Sequence, residues 1–273
     1  MRRRDNTGAA AFYRGKKDDE VITAWLAYLS TRFPFIFRRT FWRDTFRRVQ
    51  RFVQPEDFLL DIGALDAPYT RYLHNRTIVM DVVETGRFGF SPEMLRAIKS
   101  SQRNLVPIIA TAEALPFTSD TFDKIICTEV MEHIVNDKNA ISEMARVLKP
   151  DGQVFVTTPN GEKVPLTSGI KEHIRHYTEH DLKSLFFHHF ESVLVERRFH
   201  FIRLLEMQTP PPKDNKILRL LFGLMYTFFA WFYDLIYLVE RLLHVEGNYN
   251  ICLVARRPRQ PRELQNKVAF HKR

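Results

Sequence analysis

Cysteine is scarce: the 273-residue chain has two, Cys127 and Cys252. Both lie inside apolar runs that read as buried strands, and neither has metal-ligand spacing. A disulfide framework is excluded, and a reducing compartment is expected. Residues 1–15 are basic and polar with no apolar stretch, so no secretory signal is expected there. No internal repeat and no low-complexity tract is present. With 45% hydrophobic and 27% charged residues, disorder of the whole chain is excluded as well. The length suits one large domain carrying an inserted element.

Acidic residues are few at the two ends. Residues 1–51 hold 13 Lys/Arg against 5 Asp/Glu, net +8, and residues 256–273 hold 7 against 1, net +6. The body between them is net −5 within a total of +9. Basic ends around a mildly acidic body fit an anionic partner (membrane headgroups, nucleic acid or an acidic protein), or simply solubilising tails.

Periodicity divides the chain. Residues 20–30 read as a helix with Val21, Trp25 and Leu29 on one face. Residues 32–52 alternate arginines with large apolar side chains, the pattern of a basic amphipathic helix, either on a membrane or packed on the main domain. From Phe58 onward short apolar runs alternate with helical patterns: FLLDIG, TIVMDVV, PIIA, KIICTEV, QVFVTTP, ESVLVE and YNICLVA. Residues 139–148 form one such helical pattern, with Ile141, Met144, Ala145 and Leu148 on one stripe. This alternation predicts an α/β fold, a seven-stranded, mostly parallel Rossmann-like sheet with helices on both faces. The expected division is a basic extension over 1–51, a main domain over 52–257 and a basic tail over 258–273.

Residues 217–244 stand apart. Between Leu220 and Leu238 only Asp234 is charged, yet small and polar residues recur along one stripe from Arg219 to Arg241. A strand-like run follows directly and belongs with the sheet. The expectation is an apolar helical insertion, about 205–246, that touches a membrane surface, covers the site or forms a dimer face without spanning a bilayer.

Open parallel sheets bind ligands beyond the carboxyl ends of their strands. The segments there are Asp61-Ile62-Gly63-Ala64-Leu65-Asp66-Ala67-Pro68-Tyr69, Asp81 with Val82, Thr111-Ala112-Glu113, and Thr128-Glu129-Val130-Met131-Glu132-His133. Gly63 permits a tight turn and close approach of backbone amides. Asp81, 20 residues beyond Asp61, is placed to take two ribose hydroxyls.

Four ordered motifs carry a family resemblance: LLDIGALDAPYT, ATAEALPFTSDTFDKIICTEVMEHI, ARVLKPDGQVFVTTPN and HIRHYTEHDLKSLF. The chain resembles the class I S-adenosylmethionine-dependent methyltransferases, in particular the small-molecule, type 11-like branch. The resemblance implies S-adenosylmethionine as cofactor. Asp61, Gly63, Ala64 and Leu65 would hold its methionine part, and Asp81 with Val82 its ribose. Thr111, Ala112 and Glu113 would border the adenine, and Thr128 and Glu129 the reactive methyl. The chain departs from the family in four places. Leu65 and Ala67 stand where glycines are usual, Thr111 where an acid is usual, and Asp151 in the KPDG segment where glycine is common.

On the acceptor side, His133, His173 and His176 are candidate bases, with Tyr177 orienting the acceptor. The same histidines also fit a structural cap. If a helix began just after the fourth strand, Glu129, Glu132 and His133 would share a face and, with His173, could hold a divalent cation. That pattern resembles the small-RNA 2′-O-methyltransferases and the ubiquinone-pathway O-methyltransferases. It is also widespread among methyltransferases without metal, so no metal is assigned. The leading expectation is a cytoplasmic enzyme, peripheral to a membrane, that methylates a small lipid-like acceptor. RNA methylation is the alternative, disfavoured by the acidic body and the lack of a recognisable RNA-binding module. A cofactor-binding protein with weakened catalysis is the third reading.

Overall fold

The computed structural model describes residues 40–83, 89–101, 104–164, 166, 172–198 and 250–258. All of these but the first residues of one helix belong to a single compact unit, Phe46–Arg203 with Val245–Arg273. The expected helix at 20–30, the insertion at about 205–246 and the basic tail lie outside the described residues.

The elements are α1 (Thr40–Phe52), β1 (Leu59–Ile62), β2 (Thr77–Asp81), α2 (Pro92–Ser101), β3 (Leu105–Ile109), β4 (Phe122–Thr128), α3 (Asp137–Val147), β5 (Leu148–Pro159), α4 (Glu179–Phe187), β6 (Phe190–Arg198) and β7 (Asn250–Pro258). All seven apolar runs singled out in the sequence are strands of one sheet, in the order β3-β2-β1-β4-β5-β7-β6. Among the described strands, β7 runs opposite to the other six, antiparallel to both β5 and β6. The chain leaves β1 toward β2 and returns to β4 on the other side. The strand order therefore reverses between β1 and β4, where open sheets place their ligands.

Alternation along the strands divides the core between two faces. Leu60, Ile78, Met80, Ile125, Cys127, Val154 and Val156 pack with Ile141 and Met144 of α3 and with Leu182 and Phe186 of α4. Val79 packs instead with Ile98 of α2 and with Phe90. On Phe155 lies the ring of Phe52 from α1, the centroids 5.6 Å apart. Within α1, Phe46 and Val49 are buried, Arg47 and Arg51 face solvent, and Arg48 pairs with Glu196 at 3.0 Å. This part of the helix thus packs on the domain with its arginines outward.

Caps set the helix starts. Asn136 accepts the Asn139 amide at the start of α3, and Thr178 accepts the Asp181 amide at the start of α4. The KPDG segment is part of β5, with a register shift against β4 between Phe122 and Lys124. Asp151 does not take the left-handed conformation that a glycine would permit there. At the sheet's edge, the Ala110 amide donates to Asp81 and Asn104 accepts from Thr77, so even-numbered residues of β3 face β2. Pro107 falls on the outward side, where its missing N–H removes a donor from the open edge.

Candidate active site

Three left-handed residues shape the turn after β1: Gly63 at φ 67°, Leu65 at 44° and Ala67 at 52°. Glycine adopts this conformation freely, whereas a leucine or alanine there costs roughly 1–2 kcal/mol. Gly63 has a second reason to be glycine. A Cβ on it would lie 2.2 Å from Cγ2 of Val130, because the turns after β1 and β4 press together. The turn closes tightly, with the Ala67 amide donating to the Ala64 carbonyl at 2.6 Å.

Asp81 holds this turn in place. Its Oδ2 accepts from the Leu65 amide at 2.9 Å and its Oδ1 from the Val82 amide at 2.8 Å. Burial raises its carboxyl above the ordinary range, and the two amides and nearby His133 offset part of that rise. A carboxylate has about four acceptor positions. With two taken by amides, two remain for a pair of hydroxyls, so the residues fit the ribose of S-adenosylmethionine.

Asp61 plays a different part. It is buried beneath the turn, where its Oδ2 accepts from the Thr70 hydroxyl at 2.6 Å. Burial, with lesser contributions from Asp81 and Asp66, pushes its carboxyl up to about 7. Asp61 therefore supports the turn from below. Ala64 donates its amide to Met80 and anchors the turn to β2. Of the expected adenine border, Thr111 accepts the Glu113 amide at 3.3 Å, Ala112 is buried, and Glu113 accepts from the Asn136 amide at 2.6 Å. Glu113 thus ties this turn to the cap of α3. Thr128 ends β4 beside Thr157.

The segment after β4 departs from expectation. Glu129 adopts φ 56°, which breaks any helix at that point. A single 3-10 turn, Met131–His133, follows, and α3 starts only at Asp137. Glu129 is consequently separated from Glu132 and His133. Its carboxylate accepts instead from the side-chain amide of Asn250 at 2.8 Å. Asn250, the first residue of β7, is a site residue that sequence reading missed.

Glu132, His133 and His173 do come together, with one ligand-type atom of each within 4.8 Å of the others. The rings of His133 and His173 meet edge to face at 4.7 Å, and those of His173 and His176 at 5.0 Å. Tyr177 lies deeper: its buried hydroxyl donates to Asp137 at 2.9 Å, with the Met131 carbonyl 3.2 Å away. Burial and Asp137 hold its proton well above the ordinary phenol range. Arg175 also binds Asp137 and donates to the Val135 carbonyl. This network fixes the histidine segment against the turn after β4.

Comparison with known proteins agrees with this geometry. Residues 60–156 match the family model described as a methyltransferase domain. An uncharacterised protein of Methanocaldococcus jannaschii is 33% identical over 128 residues, 46% of this chain and 49% of that protein. The demethylmenaquinone methyltransferase of Corynebacterium urealyticum is 30% identical over 128 residues, 45% of this chain and 50% of that enzyme. The match thus spans about half the length of either relative. The structure of Haemonchus contortus phosphoethanolamine N-methyltransferase 2 with S-adenosyl-L-methionine shares the fold. It superposes with a TM-score of 0.58 at 16% identity, covering 80% of this chain and 53% of that one. Residues 60–156, about a third of the chain, are thus similar to the methyltransferase domain, and the chain shares the fold of a methyltransferase solved with S-adenosyl-L-methionine.

Proposed function

We propose that the protein transfers the methyl group of S-adenosylmethionine to a small, lipid-like acceptor. The observation that carries this reading is Asp81, held by the Leu65 and Val82 amides at the end of β2 beside a left-handed turn. When bound there, the cofactor supplies an electrophilic methyl. The protein's own work is to align an acceptor and to take its proton.

Several features support an apolar acceptor. Val135 is 74% exposed, Leu166 47% and Ile174 45%. Val135 and Ile174 are joined through neighbours, since Ile174 donates its amide to Glu132 and Arg175 binds the Val135 carbonyl. Ile174, next to His173 in the chain, and Val135, two residues after His133, are thus exposed apolar residues tied to the histidine segment. The name of the Corynebacterium relative, demethylmenaquinone methyltransferase, points in the same direction. His133 and His173 are the groups that receive the acceptor's proton. Tyr177 acts through Asp137 as a positioning residue. The basic ends suit peripheral contact with anionic headgroups.

Methyl-labelled S-adenosylmethionine, incubated with the full chain and either a total lipid extract or total RNA, tests the reading. Label is expected in the organic phase. Label in RNA would overturn the acceptor class, and label in neither would overturn both.

A further inference from the structure

We infer that the outer side of α1, with Arg47 and Arg51, and the adjoining part of β7, with Arg256, form one docking surface for an anionic lipid bilayer. The peripheral contact proposed above, on which this rests, is made through this face.

The helix divides its residues sharply. Phe46 and Val49 are buried, whereas Arg47 and Arg51, one turn apart, stand in solvent. Among the described residues no acidic group pairs with Arg47, Arg51 or Arg256. Glu196, an acid on the same side, is taken by Arg48 at 3.0 Å. Like charges at i and i+4 repel, and an anionic layer over the helix turns that repulsion into attraction.

Arg256 belongs to the same face of the sheet. Lys124, Gln153 and Arg256 lie side by side across β4, β5 and β7. Phe155, two residues beyond Gln153, carries the Phe52 ring of α1. The Lys124 ammonium lies 5.1 Å from the centroid of that same Phe52 ring. Burial lowers the pKa of Lys124; Asp57 offsets part of that, and Arg256 adds to it, so the two cations feel each other. Lys124 is near the start of β4, so Arg256 stands toward the amino ends of the parallel strands. A bilayer on this face therefore leaves the turns after β1 and β4 uncovered.

Guanidinium forks take phosphate oxygens in pairs, which suits both lipid headgroups and nucleic acid. The apolar component of the face decides between them. Leu194 is 57% exposed and lies opposite Val254 in register, two residues along β7 from Arg256. An exposed leucine beside arginines suits the boundary between headgroups and acyl chains. Single-stranded RNA calls instead for exposed aromatic rings on which bases stack. Among the described residues the exposed large apolar side chains include one aromatic, Phe187, and it belongs to α4, which packs on the other face.

Co-sedimentation of the purified full chain with vesicles tests the surface, with no methyl transfer measured. The vesicles are phosphatidylcholine alone, or phosphatidylcholine with about a third phosphatidylglycerol. Binding to the anionic vesicles alone is expected, and its loss in about 0.5 M sodium chloride. Each arginine at a charged surface contributes about fivefold, so Arg47→Gln with Arg51→Gln should weaken binding at least tenfold. Arg256→Gln should weaken it about fivefold. Lys138→Gln with Lys183→Gln removes the same charge from the exposed surface of α3 and α4 and should change binding much less. Equal binding to both kinds of vesicle, or an equal loss in the two double variants, would overturn the proposal. So would total RNA that displaces the protein from the anionic vesicles while binding through Arg47 and Arg51. Because the readout is sedimentation, it can fail while methylation of a lipid-like acceptor stands, and the reverse.

Discussion

Asn250 donates its side-chain amide to Glu129 at 2.8 Å, joining the first residue of β7 to the residue that follows β4. The two are 121 positions apart in the chain. Asn250 is 1% exposed, and Glu129 stands in the left-handed conformation at φ 56°. A non-glycine residue adopts that conformation when its surroundings compensate. The Asn250 amide is one such compensation, and it fixes the turn that presses on Gly63.

Asn250→Ala removes this bond and is expected to lower stability by about 1–2 kcal/mol, since the acceptor is charged but half-exposed. Asn250→Asp sets a second carboxylate against Glu129 and should destabilise more at neutral pH than in mild acid. Urea denaturation of both variants checks this. Equal stability of Asn250→Ala and wild type would show that Glu129 holds its conformation unaided.

Gly63 and Leu65 share a left-handed backbone but should respond in opposite directions. Gly63→Ala adds a Cβ 2.2 Å from Val130 Cγ2 as well as backbone strain. The two effects together should cost roughly 2–5 kcal/mol. Leu65→Gly relieves strain at φ 44° and is expected to hold or raise both the denaturation midpoint and cofactor affinity. A tenfold loss of cofactor affinity in Leu65→Gly would show that the leucine side chain contributes to binding.

Asp61 carries a pH dependence whose sign is set by burial. Unfolded, its carboxyl ionises near 3.8; folded, it keeps its proton up to about 7. The folded state binds more protons between those values, so this group's contribution to stability falls as pH rises through that window. Asp81, raised for the same reason, acts in the same sense. Asp61→Asn keeps an acceptor for the Thr70 hydroxyl and removes the ionisation. Its urea midpoint is expected to exceed that of wild type at about pH 8, with a smaller difference at about pH 5. A variant less stable than wild type at both pH values would contradict a protonated, buried Asp61.

The strands were legible because each is a short apolar run rich in Val, Ile and Leu between polar breaks. Asp81 was legible because it ends such a run. A helix starting directly after β4, the condition for Glu129 to share a face with Glu132 and His133, is not found, since nothing local in Thr128-Glu129-Val130 announces a left-handed glutamate. Its conformation depends on packing against Gly63 and Asn250, contacts with residues distant in the chain. Asn250 was missed for the same reason. Tyr177 looked like an acceptor-side residue from its place in HIRHYT, and only the fold shows its hydroxyl buried on Asp137. The histidines were picked out by type, whereas the Val164 and Glu172 carbonyls that hold His176 and His133 are contacts no side-chain pattern reveals.

Calorimetry of the purified full chain with S-adenosylmethionine, wild type beside Asp81→Ala, tests the central claim most directly. Wild type is expected to bind one equivalent. Loss of a charged acceptor costs about 1.5–3 kcal/mol, so Asp81→Ala should bind roughly 10- to 100-fold more weakly while remaining folded by circular dichroism. No binding by the wild type, or equal affinity in a folded Asp81→Ala, would contradict the account.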